Sequence, residues 1–183
     1  MSSVLKFGKV AGVALALLGG HAYATTTQGA LGATSTGTQD VKLLVPDLVQ
    51  VSNLNELNLG TYSPLIAPAT SDDLCVYRRG ASAGDYVLTL TSANQGGGTS
   101  FQMVSGANLL PYTVKYEKID GSAQVTPASG TTISRFSEAN NQSISCTTGT
   151  LTNTIRVSVT QVDADAAKAG SYMDTLTLLV APL

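Results

Sequence analysis

The chain has 183 residues, of which 43% are hydrophobic and 12% charged, and its formal net charge is −2 at pH 7. Such mild acidity provides no basic surface for nucleic acid or for anionic membranes, so the charge excludes nucleic acid as a partner. The length suits a single domain with a core of its own.

Residues 1–24 have the pattern of a secretory signal. Lys6 and Lys9 form a charged head, 10–18 is an apolar run, and small residues precede Ala24. The run is shorter than the roughly 20 residues that cross a bilayer, which disfavours an uncleaved anchor as the alternative. We therefore expect cleavage after Ala24 and export, with the net charge falling from −2 to −4 because two lysines are removed.

Residues 25–52 are predicted to form an N-terminal extension that contains a strand-like segment. Val41, Leu43 and Val45 alternate with polar residues, the period-two pattern of a strand with one apolar face. Pro46 then interrupts any hydrogen-bond ladder because it has no N–H group. Two short strand-like pieces are therefore expected here.

The remainder, 53–183, is predicted to be one all-β domain. Its strand candidates are separated by turn signals such as Asp120-Gly121, and 163–169 is expected to form only a turn. Many short strands with no helices between them indicate a single antiparallel β-sandwich. The predicted strands are 74–78, 86–91, 100–104, 112–118, 131–136, 155–162 and 172–181.

Two cysteines, Cys75 and Cys146, follow the signal. Export would place them in an oxidising compartment, where two cysteines have one possible pairing. A disulfide is therefore expected, with two free thiols as the alternative.

The last predicted strand has one apolar face, formed by Leu176, Leu178 and Val180. A strand of this kind must be paired and covered, because an open strand edge invites association. In a secreted all-β chain, the covering strand can come from another molecule. These three residues are therefore predicted to form an apolar surface that another molecule could cover.

No enzymatic or cofactor chemistry is expected. His21 is the one histidine of the sequence and lies in the signal, which removes Ser–His–Asp and Cys–His catalysis from the mature chain. The acidic pairs Asp72-Asp73 and Asp163-x-Asp165 are interpreted as solvated turn residues, with a calcium site at the second pair as the weaker alternative.

Four short segments resemble the spore coat protein U domain, a family that includes subunits of archaic chaperone–usher pili. The closing segment is the most specific of the four, and their order and spacing also match. The segments are 58–62 (NLGTY), 75–90 around Cys75-Val76-Tyr77, 110–114 (LPYTV) and 169–178 (AGSYMDTLTL).

The resemblance implies an incomplete immunoglobulin-like sandwich that lacks its final strand. It implies that Leu176, Leu178 and Val180 face an acceptor groove, and that Val41, Leu43 and Val45 are the candidate residues of a donor strand. In such pilins a periplasmic chaperone supplies the missing strand first, and the extension of the next subunit replaces it at an outer-membrane usher. The resemblance therefore implies a structural or adhesive pilus subunit at the cell surface, serving attachment and biofilm formation. Its implied partners are the chaperone, the usher and neighbouring subunits, with no small-molecule cofactor.

Three points stay open at the level of sequence. A free-standing secreted sandwich that binds glycan or matrix is the alternative, and a coat-like surface protein is a third reading. Val41, Leu43 and Val45 could instead belong to the first strand of the domain itself. The place of the subunit as shaft, minor component or tip is not encoded in any motif.

Overall fold

A computed structural model of the protein describes residues 26–80, 84–95, 98–144, 146 and 151–183. The predicted secretory signal and its cleavage site after Ala24 lie outside these residues. The chain divides into two units, Met1–Leu44 and Val45–Leu183. In the described part of the chain, no helix is long and apolar enough to cross a membrane.

In the described residues of the larger unit, the regular secondary structure is eight β-strands and one short helix. The elements in chain order are β1 (Leu48–Ser52), β2 (Ala69–Arg79), β3 (Tyr86–Ser92), β4 (Phe101–Ser105), β5 (Asn108–Lys118), β6 (Thr132–Arg135), β7 (Asn153–Ser158), α1 (Gln161–Ala166) and β8 (Leu176–Pro182).

These strands form two antiparallel sheets. The larger sheet has the order β1-β2-β7-β5-β4, and the smaller has the order β6-β3-β8. The prediction of an all-β sandwich is therefore confirmed. In the smaller sheet β8 is an edge strand, paired with β3 from Tyr86↔Pro182 to Ser92↔Leu176.

The core lies between the two sheets and follows the period-two pattern. In β3 the side chains of Tyr86, Leu88 and Leu90 are fully buried, while Val87 and Thr89 between them are partly exposed. In β2 and β7 the members of the core cluster also lie at alternate positions, such as Leu74 and Val76 or Ile155 and Val157, and with β5 they supply the facing layer. Successive side chains of a strand point to opposite faces, so each strand contributes every second residue to the core.

The predicted strand over 155–162 ends earlier than expected. β7 stops at Ser158, and α1 (Gln161–Ala166) replaces the end of the predicted strand and the start of the turn predicted over 163–169. The Thr160 side chain accepts a hydrogen bond from the backbone N–H of Asp163 at 3.1 Å and so caps the helix. This cap satisfies one of the free N–H groups of the first turn and terminates the strand.

A buried polar network ties β6 to the core. The hydroxyls of Tyr86 and Tyr116 lie 2.8 Å apart, and Tyr86 also donates to Asn153 Oδ1 at 3.2 Å. Asn153 Nδ2 donates to Glu138 Oε2 at 3.1 Å, and the same oxygen accepts from Arg135 Nε at 2.7 Å. Each buried polar group thus has a partner, which is the condition for burying it at low cost.

A second buried cation, Arg78, holds the start of the larger unit. Its Nη2 atom forms an ion pair with Asp47 Oδ2 at 3.2 Å and donates to the Leu183 carbonyl at 2.9 Å. Its Nη1 atom donates to the carbonyl of Asp85. A Cβ atom on Gly80 would lie 1.1 Å from Asp47 Oδ1, so only glycine leaves room for this carboxylate.

A disulfide joins Cys75 and Cys146, with Cα atoms 5.8 Å apart. Both half-cystines pack with Tyr77 in a small cluster that is separate from the main core. Asn140 binds β2 beside this cluster, donating from its N–H to the Val76 carbonyl at 2.8 Å. The disulfide therefore fastens the segment before β7 to β2.

Replacing both cysteines by serine is expected to lower the free energy of unfolding by about 4 kcal/mol. The half-cystines are 71 residues apart, and a cross-link over such a distance removes much loop-closure entropy from the unfolded chain. Urea unfolding of the native chain and of the Cys75→Ser/Cys146→Ser variant measures the difference. The native chain with a reductant should match the variant, and equal midpoints with and without the disulfide would contradict the expectation.

Candidate functional site

A groove of about 380 Å³ runs along β8 in the larger unit. Its floor is formed by inward side chains of the larger sheet, including Met103, Ile155 and Val157. One edge of β8 pairs with β3, and no described strand pairs with its other edge. The groove thus lies where a further strand would complete the smaller sheet.

The apolar face of β8 takes part in this groove and in the core. Leu176 and Leu178 line the groove, and Val180 packs against the core cluster further along the strand. All three are partly buried, whereas Thr177 and Leu179 are exposed. The alternation expected from the sequence is therefore present, and it leaves an apolar surface that is only partly covered.

The 54–59 segment lines the groove as well. Leu57 and Leu59 are partly buried and pack against the core cluster, while Asn58 between them is exposed. The segment forms no strand in the described structure. It therefore contributes apolar side chains to the groove without completing the sheet.

Two asparagines at the start of this segment, one just before it and one within it, attach it to β2. Asn53 has a positive φ of 61°, and its side chain donates to the Asp73 carbonyl at 2.7 Å. The backbone N–H and side chain of Asn55 donate to the Asp72 carboxylate at 2.8 and 2.9 Å. Asp72 and Asp73, which the sequence analysis read as turn residues, instead lie in β2 and hold the groove wall.

The groove is closed at the end where β8 begins. There Met173 pairs with Val104 of β4, through N···O distances of 2.9 and 3.0 Å in the two directions. The backbone just before β8 is therefore tied to β4 at this end of the groove.

Asp174 provides a polar group at the closed end. Its Oδ2 atom accepts hydrogen bonds from the Tyr112 hydroxyl at 2.5 Å and from Ser92 Oγ at 2.6 Å. Its Oδ1 atom accepts from Asn94 Nδ2 at 2.8 Å. Asp174 and Tyr112 both line the groove, so its surface changes from polar at Asp174 to apolar at Leu176.

Tyr112 is the tyrosine whose hydroxyl reaches this end of the groove. Burial raises the pKa of the Tyr112 hydroxyl, and its hydrogen bond to the Asp174 carboxylate raises that pKa further. The ring packs against Phe101 with centroids 5.6 Å apart. Tyr112 therefore links the apolar core to the polar end of the groove in its neutral form.

The candidate donor residues are distributed over the unit boundary. Val41 and Leu43 belong to the smaller unit, and Val45 is the first residue of the larger one. Their exposed fractions are 94%, 86% and 53%, and none of them lies in a strand. In the smaller unit, Thr27 and Thr38 form an isolated antiparallel bridge.

Sequence reasoning found Leu176, Leu178 and the cysteines but missed the polar end and the second wall of the groove. One signal was available, because Asp174 has the same parity as Leu176 and so lies on the same face. Tyr112 and Leu57 carried no such signal, since their approach depends on pairing between distant strands. Among the described residues, no group of three or more His, Cys, Asp or Glu side chains could hold a metal ion.

Among solved structures, this fold is similar to a chain of the chaperone–tip adhesin complex of CFA/I fimbriae. The TM-score is 0.56 at 14% sequence identity, over 74% of this chain and 41% of that chain. Two structures of CfaE, the adhesive subunit of the CFA/I fimbria of enterotoxigenic Escherichia coli, have TM-scores of 0.48 and 0.46 at 15% and 16% identity. They match 64% and 63% of this chain and 36% of each of those chains.

At this identity the first likeness indicates a shared fold. No protein-family profile and no curated protein matches the chain.

The Tyr112→Phe variant is expected to be less stable at pH 7 by about 1.5–3 kcal/mol, because a hydrogen bond to a charged group is lost. The pKa of Tyr112 lies above its ordinary value of 10.0 in the folded state. Its contribution is therefore complete below pH 10 and declines at higher pH, where the unfolded chain ionises first.

The stability gap between the native chain and Tyr112→Phe should accordingly shrink as the pH rises beyond 10. Urea unfolding at pH 7 and at several values above pH 10 measures this gap. Tyr86 and Tyr116 are present in both proteins, so their own ionisation cancels in the comparison. A gap that stays constant with pH would contradict the assignment.

Proposed function

We propose that the protein is a structural or adhesive subunit of a bacterial surface pilus, assembled by the chaperone–usher pathway through donor-strand exchange. The observation that carries the proposal is the unpaired edge of β8 beside a partly covered apolar groove. Cleavage after Ala24 would release the chain into the periplasm, on its way to the cell surface. Attachment and biofilm formation are the processes that such a pilus would serve.

The occupant that we propose for the groove is the 39–45 segment of a second copy of the chain. Val41 and Leu43 are almost fully exposed, so this segment carries apolar side chains that nothing in its own structure covers. Strand addition gives main-chain hydrogen bonds along the edge and side-chain burial at alternate positions. Each aliphatic side chain that becomes buried contributes about 1.5–3 kcal/mol.

Length also supports this occupant. The edge from Asp174 to Val180 spans seven residues, and the 39–45 segment has seven. At about 3.3 Å per residue, both extend over roughly 20 Å. Pro46 follows the segment directly and ends its capacity to pair.

A periplasmic chaperone and an outer-membrane usher are the further proposed partners. Before assembly, the groove would leave the apolar face of β8 open to aggregation. A strand supplied by a chaperone would protect it until the 39–45 segment of the next subunit replaces that strand at the usher. The fold likeness to a chain from a chaperone–tip adhesin complex supports this assignment at the level of fold.

The mature chain, residues 25–183, is expected to depend on a chaperone for solubility. Periplasmic expression with and without the chaperone and usher of a pilus system of this type tests the dependence, by gel filtration and by SDS gels run without boiling. We expect degradation or aggregation of the chain alone, a one-to-one complex with the chaperone, and a heat-sensitive ladder of multimers when the usher is present. A stable monomer that ignores the chaperone would overturn the proposal and favour a self-complete secreted sandwich.

Substitution of Leu43 by lysine is expected to abolish the ladder, because a charged side chain would have to enter the apolar groove. The matched control is Leu44→Lys, one residue further on, with an exposed fraction of 89% against 86% for Leu43. Both variants should still form the chaperone complex, since their own groove is intact. Equal ladders from the two variants would show that the 39–45 segment is not the donor.

A further inference from the structure

The closed, polar end of the β8 groove points to a role in setting the register of the incoming strand. We infer that Asp174 is a specificity-determining residue of the groove. An incoming strand seats three alternate apolar side chains against Leu176, Leu178 and Val180, and presents its next inward residue to Asp174. This inference deepens the proposed function and rests on it.

The first support is the position of Asp174 on the strand. Residues two apart on a strand share a face, so Asp174 continues the row formed by Leu176, Leu178 and Val180. The row therefore offers one polar position followed by three apolar positions. The polar position lies at the end of this row, next to Met173, whose backbone pairs with Val104 of β4.

The second support is the incomplete pairing of the carboxylate. Tyr112, Ser92 and Asn94 donate three hydrogen bonds to Asp174, and two carboxylate oxygens have about four acceptor positions. In the described part of the chain, no lysine or arginine forms an ion pair with Asp174. A partly buried carboxylate held by neutral donors favours a further donor or cation over an apolar side chain.

Together these features select against a shift of the strand by one apolar position. Such a shift would place an apolar side chain against the carboxylate and leave an apolar position of β8 uncovered. In the proposed donor, the inward residues on either side of the apolar trio are Gln39 and Asp47. An amide such as Gln39 can donate to a carboxylate, whereas Asp47 is held by Arg78 in the larger unit.

The inference is tested with synthetic peptides that cover residues 36–48, each carrying one lysine at an inward position: 39, 41, 43, 45 or 47. The acceptor is the mature chain as purified, alone or with its chaperone, in the native form and as Asp174→Asn. Native mass spectrometry measures the fraction of chain that carries peptide. The unmodified peptide and a peptide with Asp40→Lys, which alters an outward position, are the controls.

Lysine at 41, 43 or 45 is expected to abolish binding to both acceptors. A peptide with lysine at one of the two outer positions, 39 or 47, should still bind. It should bind the native chain about five- to tenfold more tightly than it binds the Asp174→Asn chain. If the lysine at 39 gives the tighter binding to the native chain, the incoming strand runs parallel to β8. If the lysine at 47 does so, the strand runs antiparallel. Either result supports the inference, and the Asp40→Lys control should bind both acceptors equally.

If the Asp174→Asn chain does not fold, peptides with glutamate at 39 or 47 give the same test on the native chain. At one of the two positions, the glutamate peptide should bind more weakly than the lysine peptide. The role of Asp174 would be overturned if a lysine at 41, 43 or 45 bound the native chain more tightly than Asp174→Asn. It would also be overturned if the lysine and glutamate peptides bound the native chain equally. Either result would leave the groove as an acceptor. Failure of the unmodified peptide to bind would instead refute the acceptor groove and the proposed function with it.

Discussion

The central constraint on this structure is that β8 has to bury one face while only one of its edges is paired. Leu88 and Leu90 of β3 lie opposite Val180 and Leu178 and give the strand its register. The other edge is hydrogen-bonded to no strand among the described residues, and the apolar face is only partly buried. A sandwich interior is normally as closely packed as an organic crystal. The groove along β8 departs from that density, and it is the feature from which the functional proposal follows.

Much of the fold could be predicted from period-two patterns, because alternation directly reflects a sheet with one buried face. The buried parts of β3 and β5 were found in this way. β2 was predicted only from 74, although it begins at Ala69, because Ser71 and Asp73 are exposed and carry no apolar signal. Their place in the sheet comes from pairing with β7, which a single sequence does not contain. The helix at Gln161 was missed because its start depends on the cap at Thr160.

The candidate site was predictable on one wall and not on the other. Leu176 and Leu178 lie on one strand, so local alternation was sufficient to place them on the same face. Leu57 reaches the groove through a segment with no regular structure, and the asparagines that hold that segment act across 17 and 20 residues of sequence. Contacts of this range depend on tertiary pairing, which local patterns do not encode. The resemblance to the spore coat protein U domain draws on the 58–62 and 169–178 segments, and the structure gives both of them defined roles.

Those roles are structural, and they concern the turn at Gly60 and the chain around Gly170. Gly60 has a positive φ of 74° and donates its N–H to Asn58 Oδ1 at 2.8 Å, which turns the chain at the end of the 54–59 segment. In the closing segment, a Cβ atom on Gly170 would lie 2.4 Å from Ser105 Oγ, so the chain there passes close to the end of β4. Three residues later, Met173 pairs with Val104 of the same strand. Both segments also contribute side chains to the proposed acceptor groove, because Leu59 of the first and Leu176 of the second line it.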